Sequence, residues 1–239
     1  MNKYKNKDSM LYWFPLIKDL NISQPRTEVI SLTEKELDMA YNERISKSLV
    51  EKTEKVIAQK FQLPVFIRTD LSSAKHDWEK TCFYDGIDKL WEHLWEIVNF
   101  NLCADLMGLP FEALIVREFI PMDSKFTAFS GDMPVNPERR YFIDKGKVLC
   151  HHPYWIAGAI RYPSLVNWEK VIEEINTEEK DEIKLLTNYA QRIAKILEGF
   201  WSIDFCKAKD GRWILIDCAT GENSWHPESC EFCRTRKKK

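Results

Sequence analysis

The chain is expected to be an α+β protein built on antiparallel strands, and three observations in its 239 residues predict it. First, residues 200–218 and 138–150 each place two apolar runs around a short polar turn, Lys209-Asp210-Gly211-Arg212 and Asp144-Lys145-Gly146-Lys147, which is the pattern of a β-hairpin. Second, long stretches before and between them repeat apolar residues at helical spacing. Third, a composition 44% hydrophobic and 13% aromatic is enough for one substantial core, or for one domain with a small lobe.

Taken in order, residues 10–30 predict a short helix, a turn at 24–26 and a strand at 27–30. Thr33 with Glu36 three residues on is a capping-box pattern that opens a helix. Ile45, Leu49, Val50, Val56 and Ile57 mark a second helix ending near Lys60. Val65-Phe66-Ile67 centres a strand over 63–70. Small hydroxyl residues then lead to Lys75, which suits a mobile loop able to approach phosphate oxygens. Arg68 and Lys75 would supply two cations there; otherwise both are solvated surface charges.

Ile87, Leu90, Trp91, Leu94, Val98, Leu102 and Leu106 predict a long core helix, with Gly108 and Pro110 as stop signals. A buried strand follows at 113–119 and halts at Pro121. After a loop holding Met122-Asp123-Ser124-Lys125, Glu138, Arg140 and Phe142 share one strand face. Such Glu–Arg alternation by itself marks a solvated strand edge. His151 and His152 are neighbours on a strand, so their rings point to opposite faces and do not share a metal; His151 remains a candidate to face a substrate. Residues 167–198 predict one continuous helix, its apolar face carried by Ile183, Leu186, Tyr189 and Ile193, with Gly199 as the stop.

The hairpin at 200–218 carries the chemistry. If Asp210 and Gly211 are the centre of a two-residue type I′ turn, the register sets Asp204 directly opposite Asp217, with Cβ atoms roughly 5 Å apart. Two carboxylates that close repel, more so when desolvated, unless a cation lies between them or one is protonated. A few hard oxygen ligands suit Mg²⁺ that also holds nucleotide phosphates. The alternative is a bulge or longer turn that sends one Asp to solvent. Beyond it, His226-x₃-Cys230-x₂-Cys233 offers three zinc ligands with no fourth nearby; free thiols are the competing reading.

Several classes are excluded. There is no charged n-region followed by an apolar h-region, and no apolar run long enough to span a bilayer. Seven scattered cysteines fit free thiols in a reducing cytoplasm. The net charge is −2 although five of the last six residues are basic (Arg234, Arg236, Lys237, Lys238 and Lys239), so the body is more acidic still and is not expected to bind nucleic acid. The tail itself reads as a solvated end, or as an address. No P-loop, dinucleotide fingerprint, nucleophile elbow or H-E-x-x-H occurs. Ala208, three residues before Gly211, removes the lysine that a covalent nucleotidyltransferase needs.

Four stretches in sequence order then resemble the ATP-grasp superfamily over roughly 64–224: VFIRTDLSSAKHDW the phosphate-binding strand and loop, LIVREFIP the adenine hinge, PERRYFIDKGKVL the E-x-R strand, and SIDFCKAKDGRWILIDCATGEN the metal-binding hairpin. The chain is similar in particular to the small phage and bacterial ATP-grasp proteins, and more distantly to the ATP-grasp chaperone that assembles eukaryotic translation initiation factor two. The resemblance implies two lobes with antiparallel sheets clasping a nucleotide, divided as an N-terminal region (1–62) packing on the first lobe, a core (63–228) and a basic tail (229–239). It implies ATP and Mg²⁺ as cofactors. Arg68 and Lys75 become phosphate cations. The backbone of Arg117, Glu118, Phe119 and Ile120, with Asp123 beside it, becomes the nucleotide clamp. Asp204 and Asp217 become metal ligands, joined by Asn223 or Glu222, and Arg140 with Lys75 the catalytic cations. Arg68 stands where many members have Lys, and Ala219 where many have a ligating Asn. The expected activity is that of an ADP-forming carboxylate–amine ligase working through an acyl phosphate, on substrates that include a peptide or protein among the candidates. The alternative is an ATP-binding assembly factor or phage accessory protein.

Overall fold

Antiparallel pairing builds both principal sheets, and each sheet belongs to its own unit. The computed structural model describes residues 4–104 and 111–233. Its first unit comprises the described residues of Met1–Gln24, Pro121–Phe126 and Pro134–Lys239, its second Pro25–Ile120 and Thr127–Met133. Residues 1–62, read above as one region, are thus shared between the two.

The chain opens with α1 (Met10–Ile17) of the first unit, capped by Ser9, whose hydroxyl accepts the Leu11 N–H. The second unit follows as β1 (Thr27–Ser31), α2 (Glu34–Tyr41), α3 (Lys47–Lys60), β2 (Val65–Thr69), β3 (Phe83–Tyr84), α4 (Leu90–Ala104) and β4 (Ala113–Glu118). Its strands lie in the order β1-β4-β2-β3. Ile30, Leu49, Ile57, Ile67, Leu94, Val98 and Leu114 form its core. The capping box is present: Glu36 N–H donates to the Thr33 hydroxyl and Thr33 N–H to the Glu36 carboxylate. α4 starts at Leu90, so Ile87 stays outside it and is 85% exposed. Asp85 Oδ1 accepts the Ile87 N–H, a local turn that competes with helix at that point. The stop signals Gly108 and Pro110, with Leu106, lie outside the described residues.

After the β5 (Phe126–Ala128) and β6 (Met133–Val135) hairpin, the first unit continues as β7 (Glu138–Asp144), β8 (Lys147–Pro153), α5 (Trp168–Asn176), α6 (Lys180–Ala194), β9 (Trp201–Lys207) and β10 (Trp213–Thr220). The sheet order is β10-β9-β7-β8. β7 is therefore a central strand, not the solvated edge that Glu–Arg alternation suggested. Arg139, buried at 1% exposure, explains a second difference. Its guanidinium donates to the carbonyls of Ile175 and Thr177, and to Glu182. Those carbonyls are the orphan acceptors at a helix C-terminus. The helix expected over 167–198 accordingly breaks into α5 and α6 at Thr177, which is extended (ψ 126).

The two hairpin turns exchange roles. Lys145 and Gly146 both have positive φ (48° and 75°), the type I′ requirement, between the paired Asp144 and Lys147. At 208–212 only Gly211 is positive, at 88°. Asp210 instead accepts the Arg212 N–H and ion-pairs with its guanidinium, and the Ala208 N–H donates to Arg212 O across a three-residue loop. A bulge between Leu215 and Asp217 then restores the register, so that Asp217 does pair with Asp204.

Candidate functional site

One row of side chains crosses all four strands of the first unit's sheet. His152 on β8 pairs with Arg140 on β7, Arg140 with Asp204 on β9, and Asp204 with Asp217 on β10. Directly opposed residues share a face, so these four lie side by side. Arg140 is bidentate on Asp204, with Nε to Oδ1 at 2.8 Å and Nη2 to Oδ2 at 2.7 Å. Its guanidinium also lies 4.7 Å over the Tyr154 ring and donates to Trp225 O at 3.4 Å. Burial opposes the charge on Arg140, but Asp204 outweighs it and lifts the group above its ordinary pKa. Asp217, half-buried, accepts the Cys218 N–H at 3.1 Å. The Asn223 amide donates to Asp8 Oδ2 at 2.7 Å, beside Thr220, which bonds the other Asp8 oxygen. His151 turns to the opposite face, where its Nδ1 lies 2.9 Å from Glu178, so it is not a neighbour of Arg140. In donor chemistry the two facing carboxylates fit a hard divalent cation such as Mg²⁺.

Within the second unit, Arg68 is buried in β2 and its Nε donates to Thr69 O. Lys75 opens the single 3₁₀ turn Lys75–Asp77, entered through Ala74 in the left-handed region (φ 52°). Rather than hanging free, this loop is tied down at its start and end. Thr69 Oγ1 accepts the N–H groups of Leu71 and Ser72 and donates to Asn101 Oδ1 at 2.7 Å. Asp70 Oδ1 accepts from Glu112 and Ala113, and the Thr81 hydroxyl reaches the carbonyls of Ala74 and Asp77. Gly131 donates to His76 O, and a Cβ on it would meet Asp77 Cα at 2.3 Å, so only glycine fits there. Burial, then Lys75, hold His76 below its ordinary pKa and keep its ring neutral against Phe129.

The strand expected to serve as adenine hinge ends in a comparable frame. Arg117 is buried and its Nε donates to the Thr27 hydroxyl; Glu118 exchanges bonds with Arg26. Phe119 packs on Trp78 and Phe83. Among the described residues no other group hydrogen-bonds the backbone of Phe119 or Ile120. Asp123, in the first unit, donates its N–H to Lys207 O and ion-pairs with Lys125 at 2.8 Å. Tyr154, Trp225, Asp8 and Asn101 carry no signal in the sequence, because each acts through a partner far away along the chain.

Residues 54–238 match a family described as an ATP-grasp domain, family 3 of its clade. Among solved structures the chain is similar in fold to C-terminally truncated Cdc123 from Schizosaccharomyces pombe (TM-score 0.59, 16% identity, covering 90% of this chain and 84% of that one). It is also similar to the VanG D-Ala:D-Ser ligase from Enterococcus faecalis (TM-score 0.50, 14% identity, 90% of this chain and 52% of that one). No curated protein sequence matches. The match over residues 54–238, together with the two antiparallel sheets, places this chain among the ATP-grasp domain proteins, in the third family of that clade.

Proposed function

We propose that the chain is an ATP-dependent carboxylate–amine ligase that forms ADP. The observation that carries this reading is the row Arg140–Asp204–Asp217, a cation and two carboxylates held side by side on one sheet face. Arg68 and Lys75 are assigned to the phosphates, the backbone at 117–120 to adenine with Asp123 nearby, and Asp204 and Asp217, with Asn223 or Glu222, to Mg²⁺. When bound there, Mg²⁺ would orient the phosphates and offset their charge. A substrate carboxylate attacks the γ-phosphorus and ADP leaves; an amine then attacks the acyl phosphate carbon and inorganic phosphate leaves. Arg140 is the residue whose fork can pass from Asp204 to a phosphoryl oxygen, since guanidinium pairs carboxylate and phosphate in the same bidentate way. VanG, a D-Ala:D-Ser ligase of similar fold, supports this class of reaction.

The second reading, an assembly factor that binds ATP without ligating, is favoured by two observations. Ala219 stands where the family's third ligand is expected, and both Asp204 oxygens are engaged by Arg140. ADP release that requires both a carboxylate and an amine, drawn from amino acids and short peptides, is the outcome expected of a ligase. AMP as the main nucleotide product would overturn γ-phosphoryl transfer, and ATP binding without any such turnover would leave the second reading. Lys75→Ala is expected to weaken MgATP binding by about tenfold or more (~1.4 kcal/mol) by calorimetry while leaving the melting temperature nearly unchanged. Unchanged affinity would remove Lys75 from the nucleotide's contacts.

A further inference from the structure

Four metal-ligand side chains from two distant stretches converge on the first unit's sheet, one row from Arg140. Cys150 and His152 are two residues apart on β8 and so share a face. His226 and Cys230 come from the segment after β10. One ligand atom from each of the four lies within 4.8 Å of every other. Cys150 Sγ is 3.2 Å from His226 Nε2, and the His226 ring lies flat on Phe142 with centroids 3.9 Å apart. His226 is only 2% exposed.

The polar atoms of this cluster are poorly served by protein alone. His152 Nε2 and His226 Nδ1 are buried with no hydrogen-bond partner among the described residues. Buried imidazole nitrogens without partners are unfavourable, and they cluster where an ion or water completes the site. The ligand set expected from His226, Cys230 and Cys233 is also corrected: Cys233 is not in the group, its thiol pointing to His226 O, and the missing ligands come from β8. His151 and His152 do diverge, as neighbours on a strand must.

We propose that Cys150, His152, His226 and Cys230 bind one Zn²⁺ and staple the segment after β10 to β8. Two thiolates and two imidazoles are the borderline-soft, four-ligand set of a structural zinc site, and the absence of carboxylates among them disfavours Mg²⁺ or Ca²⁺. Ligand bonds of about 2.0–2.3 Å put tetrahedral donor atoms roughly 3.3–3.8 Å apart, a small side-chain adjustment from the spacing here. Binding releases the two thiol protons, so uptake is favoured as pH rises. With four protein ligands the ion has no open position, so its work is to hold the chain. The segment it holds carries Trp225, whose carbonyl receives Arg140, and Ser224, whose hydroxyl bonds Ser202.

The test uses the full chain, purified under reducing conditions without chelator. Elemental analysis is expected to find about one zinc per chain, and after stripping, Co²⁺ is expected to give the visible d–d bands of a tetrahedral thiolate site. Cys230→Ser and His226→Gln are expected to lose both signals, and Cys103→Ser, an exposed thiol elsewhere, to keep them. The wild-type zinc content and cobalt spectrum need no variant, so a misfolded substitution does not mask the answer. Reduced wild-type protein that neither carries zinc nor develops the cobalt bands overturns the proposal. So does a Cys150–Cys230 disulfide recovered from metal-free protein, or zinc that persists in Cys230→Ser.

Discussion

Arg139→Met is expected to cost about 3–5 kcal/mol, the usual penalty for removing one partner of a buried ion pair. The Arg139 side chain is 2% exposed and that of Glu182 9%. Besides Glu182, the guanidinium serves the carbonyls of Glu138 (3.0 Å), Ile175 (2.9 Å) and Thr177 (2.8 Å). Methionine keeps the packing of the stem near Trp213 but restores none of those bonds. For a chain of this length the melting temperature should fall on the order of 10 °C. The pH dependence has a sign. Burial already lifts the Glu182 carboxyl above its ordinary pKa, although Arg139 pulls it down. Without Arg139 it rises further, so the folded state holds that proton more tightly than the unfolded state does. The resulting contribution is present below the ordinary carboxylate pKa and is lost as pH rises through the folded value. The deficit of the variant should therefore be larger at about pH 8 than at about pH 5. Denaturant melts at both pH values check this. A wild-type midpoint would deny Arg139 any net role, and a deficit that is flat in pH would remove Glu182 as the group left unpaired.

Arg139 also marks where the sequence stops being informative. The α2 capping box and the β2 and β4 strands were legible because their causes are local: a hydroxyl three residues from a glutamate, or an unbroken β-branched run. The break between α5 and α6 was not, since the guanidinium that draws off Ile175 O comes from 36 residues earlier. For the same reason a Glu–Arg alternation looked like an edge, while its partners sat on α6. The Asp204–Asp217 pair was legible for a flawed reason. The Asp-Gly turn is one residue longer than a type I′ turn, because the Asp210 carboxylate is spent on Arg212, and the bulge at 216 cancels the difference. Side-chain alternation along β8 correctly separated His151 from His152. It could not reveal that Cys150, 76 residues before His226, completes the cluster. The Lys75 loop was placed correctly, but its small residues were read as freedom when Thr69, Asp70 and Gly131 hold it fixed.

Asp204→Asn and Asp217→Asn are expected to part company without ligand and to agree with it. Asparagine at 204 leaves Arg140, its side chain 14% exposed, facing a neutral amide. Losing that charge partner should cost about 3 kcal/mol in the ligand-free protein, less than the full penalty for a dry interior. Asparagine at 217 leaves the Arg140–Asp204 pair intact. The repulsion expected between two bare carboxylates is already offset by Arg140, so removing it should change stability by no more than about 1 kcal/mol. MgATP is a different matter, because both acids are assigned to the cation. Wild type at a hundredfold excess over its dissociation constant should gain about 2.7 kcal/mol, and each variant should lose most of that gain. Melting curves of the three proteins, with and without MgATP, separate the two effects. Equal ligand-free stability of Asp204→Asn and wild type would show that the bidentate pair contributes nothing to the fold. An Asp217→Asn protein that keeps the wild-type shift on adding MgATP would show that Asp217 holds no metal, and the cation would then have to be sought on Asp204 and the segment beyond β10.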